Sequence, residues 1–258
     1  GGNTTLVCKV GRDLFGDNAI KGYEREGIDT SRILRSDKAS GTALILVDSK
    51  GENCISVASG ANADFTEADV DSVADVLRSA DYVLLQLEIP VPSVLRAAKI
   101  AHEAGATVIL NPAPAAALPE ELFRYIDLFI PNRTELSAFS GVEIEGEADI
   151  LRAAKNMTGK GVHRLIVTLG SEGSLITDGS SCTRIPAKKE EPATPTAALS
   201  AWPFQRASPW KTLPASPRRH RLSPFSAQAP RTQSLSAANW NRPRSRLTRA
   251  LPKPTILF

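Results

Sequence analysis

Polar or glycine-rich residues directly follow four apolar segments in the middle of this 258-residue chain. The four groups are Glu88 after residues 82–87, Asn-Pro-Ala-Pro at 111–114 after residues 107–110, Pro-Asn-Arg-Thr-Glu at 131–135 after residues 127–130, and Leu-Gly-Ser-Glu-Gly at 169–173 after residues 165–168. Each apolar segment has the length and composition of a strand. In open α/β sheets, ligands bind beyond the carboxyl ends of the strands. Any one group could be a turn, but four at one edge indicate a binding site.

The loop at residues 168–173, Thr-Leu-Gly-Ser-Glu-Gly, has the composition of a phosphate-binding loop. Gly170 and Gly173 have no Cβ atom, so backbone N–H groups could approach a phosphate closely. The loop is not a Walker A motif, because no Gly-Lys-Ser or Gly-Lys-Thr follows it. It is not a dinucleotide fingerprint either, because Gly173 leads into a predicted strand and not into a helix. A plain glycine turn between two strands is the alternative.

Asn132 and Glu135 are three residues apart where a predicted strand gives way to a helix. That spacing places both side chains on the first helical turn, facing one way. A carboxylate there could hold Mg²⁺ or its water ligands, and an amide could bond a phosphate oxygen. The alternative is ordinary helix capping by Asn132 or Thr134.

Predicted strands and amphipathic helices alternate through residues 1–190, beginning with a strand at residues 4–10 and including a helix that Thr66 opens. Residues 92–104 and 147–158, for example, carry apolar side chains on one helical face. Residues 41–48 and 53–58 form a predicted hairpin with a glycine at its turn. Apolar strands between amphipathic helices predict an α/β fold whose mostly parallel sheet is covered on both faces.

The composition changes sharply near residue 191. Residues 191–258 hold nine Arg and two Lys but one acid, so their net charge is +10, and the total of +3 leaves −7 for residues 1–190. The tail holds 11 of the 18 prolines and no glycine, and this composition predicts a Pro/Arg/Ser-rich segment without a stable fold. Its basic residues could bind polyanions in a salt-dependent way, but its three Trp are far apart, and we expect no specific nucleic-acid function.

Other features exclude further classes of protein. The three cysteines are widely spaced and form no metal-ligand cluster with the three histidines. No run of about 18 apolar residues exists, so we expect no transmembrane helix, and no apolar leader opens the chain. These observations predict a cytoplasmic protein without a membrane partner.

A series of ordered motifs in residues 1–190 resembles the ribokinase family of carbohydrate kinases. They are Lys-Val-Gly-Arg-Asp-x-Phe-Gly at 9–16, Glu-Gly-Ile-Asp-Thr at 26–30, Ser-Gly-Thr-Ala at 40–43, Gly-Ala-Asn at 60–62, Asn-Pro-Ala-Pro at 111–114, Asn-x-x-Glu at 132–135, and the loop at 168–173. Within the family, Gln-Leu-Glu at 86–88 and the segment 111–114 favour the ribokinase branch over fructokinases and adenosine kinases.

The resemblance implies a three-layer α/β sandwich with a small β lid near residues 41–58, incomplete in this chain. It implies ATP-dependent phosphorylation of ribose to ribose 5-phosphate, with fructose or another sugar or nucleoside as the alternative substrate. It also implies Mg²⁺, a monovalent cation (K⁺) whose site we expect to be lost here, and a homodimer formed through the lid.

The resemblance also implies roles for particular residues. Glu88 matches the sugar-contacting glutamate of the family, Asn132 its nucleotide-binding asparagine, and Glu135 its glutamate that holds Mg²⁺ through water. The matches to the loop over the ATP phosphates and ribose are Thr168, Leu169, Gly170, Ser171, Glu172 and Gly173.

Two family segments are missing from the sequence. The first strand and a Gly-Gly-Lys-Gly-Ala-Asn segment would precede Gly1, and an Asp-Thr-x-Gly-Ala-Gly-Asp motif would follow Ala187. The last Asp of that motif is the family's catalytic base, so no catalytic residue is assigned here. Residues 190–198 read Glu-Glu-Pro-Ala-Thr-Pro-Thr-Ala-Ala instead.

The genetic code suggests how the second motif was lost. Read two bases late, the codons from Ala193 onward can spell Asp, Thr, Asn and Gly, as the motif's opening requires. We infer that residues 191–258 are a frameshifted reading of a sugar kinase gene, so that the chain is inactive as written. The alternatives are a natural disordered tail and a non-catalytic kinase remnant whose basic tail binds polyanions.

Overall fold

The computed structural model describes residues 3–47, 53–187 and 254–258. Its strands are β1 (Thr4–Leu6), β2 (Cys8–Gly11), β3 (Ile33–Ser36), β4 (Thr42–Val47), β5 (Asn53–Ala58), β6 (Tyr82–Leu85), β7 (Thr107–Leu110), β8 (Leu128–Phe129), β9 (Arg164–Thr168), β10 (Ser174–Thr177), β11 (Cys182–Ile185) and β12 (Thr255–Leu257). Its α-helices are α1 (Leu14–Arg25), α2 (Glu67–Ser72), α3 (Ala74–Ser79), α4 (Val91–Glu103), α5 (Glu120–Phe123), α6 (Arg133–Ser140) and α7 (Glu147–Gly159). Single 3₁₀ turns cover Gly60–Asp64 and Gly170–Glu172.

Eight of these strands form one mixed sheet in the spatial order β1, β12, β6, β7, β8, β9, β10, β11. Neighbours from β1 to β9 pair in parallel, whereas β10 and β11 are antiparallel additions at one end. The strands β2 and β3 form a small parallel pair of their own, and β4 and β5 form a separate antiparallel hairpin. The predicted α/β class, the mostly parallel sheet and the separate hairpin are therefore confirmed; residues 48–52 at its turn lie outside the described residues.

The central strands are buried on both faces, which explains their unbroken apolar sequences. In β7, Val108 and Leu110 belong to the main hydrophobic core. Ile109 lies between them in the chain but packs with Leu128 and Ile166 in a second cluster. Because successive side chains of a strand point to opposite faces, these two clusters mark the two sides of the sheet.

The sequence of helix α4 determines where the helix begins, which face it buries against the sheet and where it ends. Pro92 lies in its first turn, where a missing N–H costs no helical hydrogen bond. Val94, Ala97 and Ala101 are fully buried, and the helix packs against β6 and β7. Gly105 ends the segment with a φ of +83°, a backbone conformation that disfavours other residues. Burial of one Val side chain contributes about 1.5–3 kcal/mol, so this face holds the helix in place.

Two predicted elements are each divided in the structure. The predicted strand at residues 4–10 breaks at Val7 into β1 and β2, which join different sheets. The predicted helix after Thr66 breaks at Val73 into α2 and α3. Both breaks occur at buried Val residues, so packing and not local sequence decides them.

Strand β12 was not predicted from the sequence. Thr255–Leu257 lies between β1 and β6 and pairs in parallel with both. Ile256 is fully buried, and Phe258 contacts Phe65 edge to face with ring centroids 6.1 Å apart. The end of the tail is thus an internal strand of the main sheet, whereas residues 188–253, which include most of the predicted unfolded tail, lie outside the described residues.

Membrane and metal features can be assessed for the described part of the chain. No helix there has the length and apolar composition needed to cross a membrane. The same residues contain no group of three or more His, Cys, Asp or Glu side chains arranged to hold a metal ion. The cysteines Cys8, Cys54 and Cys182 are all free.

Candidate functional site

The carboxyl ends of β6, β7, β8 and β9 lie at one edge of the sheet because these strands are parallel neighbours. Backbone hydrogen bonds continue past the strands along this edge. The Leu87 N–H donates to the Ala113 carbonyl (3.0 Å), and the Thr168 N–H donates to the Pro131 carbonyl (2.9 Å). The sequence prediction placed polar groups at these ends, and the structure brings all four to one edge.

Asn132 and Thr168 are direct neighbours across this edge, where they form an isolated parallel bridge. The pairing puts the start of helix α6 beside the loop at residues 168–173. Asn132 and Glu135 therefore lie next to the glycine loop, as a nucleotide site built from both would require.

The capping alternative for Asn132 and Glu135 is realised. The Asn132 side-chain oxygen accepts a hydrogen bond from the Glu135 N–H, and a Glu135 carboxylate oxygen accepts one from the Asn132 N–H, both at 2.8 Å. Burial raises the pKa of the Glu135 carboxyl above its ordinary value, and the bond from Asn132 offsets only part of this shift. The carboxylate is therefore held rigidly at the sheet edge and poorly solvated, so that a nearby cation would stabilise it.

The glycine loop has backbone conformations that only glycine adopts easily. Gly170 and Gly173 have φ values of +60° and +93°. A Cβ at Gly173 would lie 2.0 Å from the Ile185 carbonyl oxygen, so no side chain fits there. At Gly170 a Cβ would meet nothing within 4 Å, so the loop is open on that side. The Leu169 side chain is buried and faces the core, which leaves Ser171 as an exposed side chain of the loop.

Glu172 of this loop forms an ion-pair network that was not predicted from the sequence. Its two carboxylate oxygens contact Arg133 at 2.5 Å and Arg184 at 2.9 Å. Arg184 also contacts Glu147 at 3.2 Å, so the network joins α6, the loop, β11 and α7. Hydrogen bonds from Arg184 and then Arg133 lower the pKa of the Glu172 carboxyl. These ion pairs hold the loop against the start of α6.

We expect the substitution Glu172→Gln to lower the free energy of unfolding at neutral pH and to matter less in acid. The pKa of Glu172 is lower in the folded chain than its ordinary value of 4.5, so its contribution is present above that value and is lost as the pH falls below it. Urea unfolding at neutral and acidic pH measures the difference. The control Glu120→Gln, an exposed glutamate at the start of α5, should show no such dependence. An equal effect of Glu172→Gln at both pH values would contradict the network.

A cleft lies beneath the β4–β5 hairpin and reaches Glu88. The cleft has a volume of about 180 Å³ and is partly open to solvent. Its lining residues are Gly41, Thr42, Ala43, Ile45, Ile55, Val57, Ala58, Ser59, Asn62 and Glu88. The cleft thus combines an apolar cover with an exposed carboxylate and an amide, a mixture that suits a small polyhydroxylated ligand. Asn62 was not among the predicted site residues, although its Gly-Ala-Asn motif was recognised.

Comparison with known proteins assigns the chain to a family. Residues 1–198 match the pfkB family of carbohydrate kinases. The chain belongs to this family. It is 36% identical to a ribokinase of Staphylococcus aureus over 197 residues, which cover 76% of this chain and 65% of that protein. It is 39% identical over 187 residues to a bifunctional ribokinase/ribose-5-phosphate isomerase A of Fructilactobacillus sanfranciscensis, covering 72% of this chain and 35% of the relative.

Solved structures of this pfkB family show the same fold. The ribokinase of Thermotoga maritima aligns with a TM-score of 0.63 at 32% identity, over 72% of this chain and 61% of its own. An Arabidopsis thaliana ribokinase complexed with ribose and ATP aligns with a TM-score of 0.66 at 30% identity, over 71% of this chain and 61% of its own. The predicted membership of a family of carbohydrate kinases that includes ribokinases is confirmed. The chain spans only 35–65% of the length of these curated relatives.

Proposed function

We propose that this chain carries the sugar site and part of the nucleotide site of an ATP-dependent ribokinase. The observation that carries the proposal is the bridge between Asn132 and Thr168, which sets the α6 start beside the glycine loop at the edge where Glu88 follows β6. The Arabidopsis thaliana relative is a complex with ribose and ATP, and this supports the choice of both ligands. The cytoplasmic location of the present chain stays a prediction.

In this proposal ribose binds in the cleft under the hairpin. The Glu88 carboxylate accepts hydrogen bonds from sugar hydroxyl groups, and the Asn62 amide donates or accepts others. Ile45 and Ile55 are direct cross-strand partners on the cleft face of the hairpin, and they cover the apolar side of the sugar ring and exclude water. Fructose and other sugars or nucleosides remain alternative ligands of the same cleft.

ATP binds next to the glycine loop at residues 168–173, on the side of Gly170 where a Cβ would meet no other atom within 4 Å. Phosphate oxygens accept hydrogen bonds from loop N–H groups, and the Asn132 side chain reaches the nucleotide. The half-buried Glu135 carboxylate fits Mg²⁺ held through water, because Mg²⁺ keeps several waters and uses one or two carboxylates with substrate phosphates. When bound, Mg²⁺ neutralises charge on the phosphates.

The hairpin also supports the proposed homodimer. Leu44 and Leu46 point away from the cleft face, and 64% and 61% of their surfaces are exposed. Exposed aliphatic side chains in such a row are typical of protein interfaces. Sedimentation equilibrium at micromolar concentration tests this proposal, and a monomer at all concentrations would contradict it.

Two matched substitutions test the proposed ligand sites separately. We expect Glu88→Gln to weaken ribose binding about tenfold and to leave MgATP binding unchanged, because it removes a charged acceptor from the cleft only. Asn132→Ala should weaken MgATP binding and leave ribose binding unchanged. Isothermal titration calorimetry of each ligand measures both effects.

The control is Glu103→Gln at the end of α4, which leads into β7 at the end of the sheet opposite both sites, and it is expected to change neither affinity. If Glu88→Gln and Asn132→Ala changed both affinities equally, or neither, the proposed division of the site would be wrong.

A further inference from the structure

Residues from the motifs at 9–16, 40–43 and 60–62 converge on Ser40, the residue two positions before β4. The Ser40 hydroxyl donates to one carboxylate oxygen of Asp13 at 2.7 Å, and the Ser40 N–H donates to the other at 2.7 Å. The Ser40 hydroxyl oxygen also accepts a hydrogen bond from the Gly11 N–H at 2.9 Å. Asp13 in turn caps helix α1 by accepting from the Gly16 N–H at 2.8 Å.

Glycines make this arrangement possible because the backbones approach too closely for a side chain. A Cβ at Gly11 would lie 2.5 Å from the Ser40 nitrogen, and a Cβ at Gly16 would lie 2.3 Å from the Gly11 carbonyl oxygen. A Cβ at Gly60 would lie 2.4 Å from the Ala39 carbonyl oxygen. Gly60 follows β5, so the two ends of the hairpin meet at this point. We call Gly11, Asp13, Gly16, Ser40 and Gly60 the Ser40 junction.

The hairpin has little other support in the described part of the chain. There, β4 and β5 pair only with each other. Most of their side chains are exposed, including Leu44, Ile45, Ile55 and Val57, each at least half exposed. An isolated two-stranded hairpin is marginally stable in water. The position of the hairpin over the cleft must therefore come from its two ends, which the Ser40 junction fixes.

The junction is also adjacent to the cleft along the chain. Gly41 and Thr42 directly follow Ser40 and line the cleft, and Asn62 lies two residues after Gly60. The hydrogen bonds from Gly16 and Ser40 lower the pKa of the Asp13 carboxyl, so the group is ionised and accepts all three bonds at neutral pH.

We propose that Asp13 is a positioning residue that, through Ser40, holds the hairpin over the cleft and thereby sets the affinity for the sugar. The sugar part of this proposal rests on the proposed function. Asp13 itself is absent from the cleft lining, so its effect is exerted through Ser40 and the strands that follow it.

Two substitutions disturb the junction in different ways. Asp13→Asn replaces an accepting oxygen by an NH₂ donor, so either the Ser40 N–H or the Gly16 N–H faces a donor in place of an acceptor. Ser40→Ala removes only the hydroxyl, which leaves the Gly11 N–H without its acceptor and Asp13 with one donor fewer. The matched control is Asp178→Asn, since Asp178 likewise accepts from the N–H groups of Ser180 and Ser181, at 2.9 and 2.8 Å, in the turn between β10 and β11.

Hydrogen exchange of the full chain without ligand tests the junction directly. We expect Asp13→Asn and Ser40→Ala to speed exchange about tenfold or more in peptides covering residues 41–47 and 54–58. Weakening the Ser40 junction should let the hairpin open more often. Exchange in β7 and β9 should stay within about twofold of the unmodified chain. Asp178→Asn should affect the turn at residues 178–182 and not the hairpin.

Affinities separate positioning from general destabilisation. Both junction variants should weaken ribose binding about tenfold while MgATP binding is unchanged. If Asp13→Asn also speeds hydrogen exchange in β7 and β9, it destabilises the whole fold. The test of the proposal then rests on the milder substitution Ser40→Ala. Unchanged hairpin exchange in Ser40→Ala, or equal losses of ribose and MgATP affinity, would overturn the proposal. Failure of the unmodified chain to bind ribose would overturn the proposed function alone, because the exchange rates measure the junction without sugar.

Discussion

If residues 191–258 are a frameshifted reading, as we infer, restoring the other frame after residue 190 should raise the rate of ATP-dependent ribose phosphorylation by about 10⁴ or more. The restored Asp-Thr-x-Gly-Ala-Gly-Asp motif would supply a general base, which is typically worth about 10²–10⁴ in rate. It would also supply an anion hole at a helix N-terminus, worth about 10²–10³ for each donor. Residues 190–198 of the present chain offer neither an Asp nor a Gly for these tasks.

An assay of ADP release with ribose measures this difference in the two purified proteins. The control is the restored protein with the last Asp of that motif changed to Asn, which should fall back towards the rate of the present chain. Comparable ribose-dependent turnover above background in the present and restored chains would show that the motif is not needed, and that the chain is active as written.

Ile256→Asp should destabilise the fold by about 4 kcal/mol or more. Ile256 is fully buried in β12, and both of its neighbours, β1 and β6, are strands of the main sheet. A carboxylate at this position would be buried without a partner or would be protonated, and either state costs several kcal/mol. Ile256→Ala should cost about 2–5 kcal/mol through the cavity that it leaves.

Urea unfolding followed by circular dichroism measures both variants. The control Ile185→Asp changes an isoleucine of the terminal strand β11 that is 38% exposed, and it should cost about 1 kcal/mol or less. If Ile256→Asp were as mild as the control, residues 255–257 would not be an internal strand of the sheet in solution.

The sequence predicted those parts of the fold that depend on local pattern. Apolar segments such as residues 107–110 and the amphipathic helix α4 have periodicities that neighbouring residues fix by themselves. The hairpin was predictable because its two strands are close in the chain. The α/β fold class, the mostly parallel sheet and the separate hairpin follow from such local sequence patterns, and the structure confirms them.

Long-range pairing was not predictable. Thr255–Leu257 is a three-residue apolar segment in a Pro- and Arg-rich tail, and nothing near it in the sequence indicates that it pairs with β1 and β6. The break at Val7 has the same origin, because the Val7 N–H donates to the Leu257 carbonyl at 2.7 Å. Only the folded sheet brings these residues together.

The candidate site was likewise predictable only in its local motifs and not in its long-range contacts. The spacing of Asn132 and Glu135 is compatible with a capping box and with a ligand site, and the structure shows that the capping box forms. The partnership of Glu172 with Arg184 depends on the antiparallel register of β10 and β11, which sets Arg184 opposite Leu175. The role of Asp13 depends on a contact with Ser40, 27 residues along the chain. Motif spacing located these residues without revealing their contacts.

An NMR titration of the chain labelled with ¹⁵N-glycine tests the central claim most directly. All 17 glycines lie between residues 1 and 179, and they report on both proposed sites. We expect MgATP to shift the amide signals of Gly170 and Gly173, and ribose to shift that of Gly41 in the cleft lining. Gly105 and Gly161, which precede β7 and β9 at the opposite edge of the sheet, should not shift with either ligand. Shifts at Gly105 or Gly161 with none at Gly170, Gly173 or Gly41 would contradict the assignment of both sites.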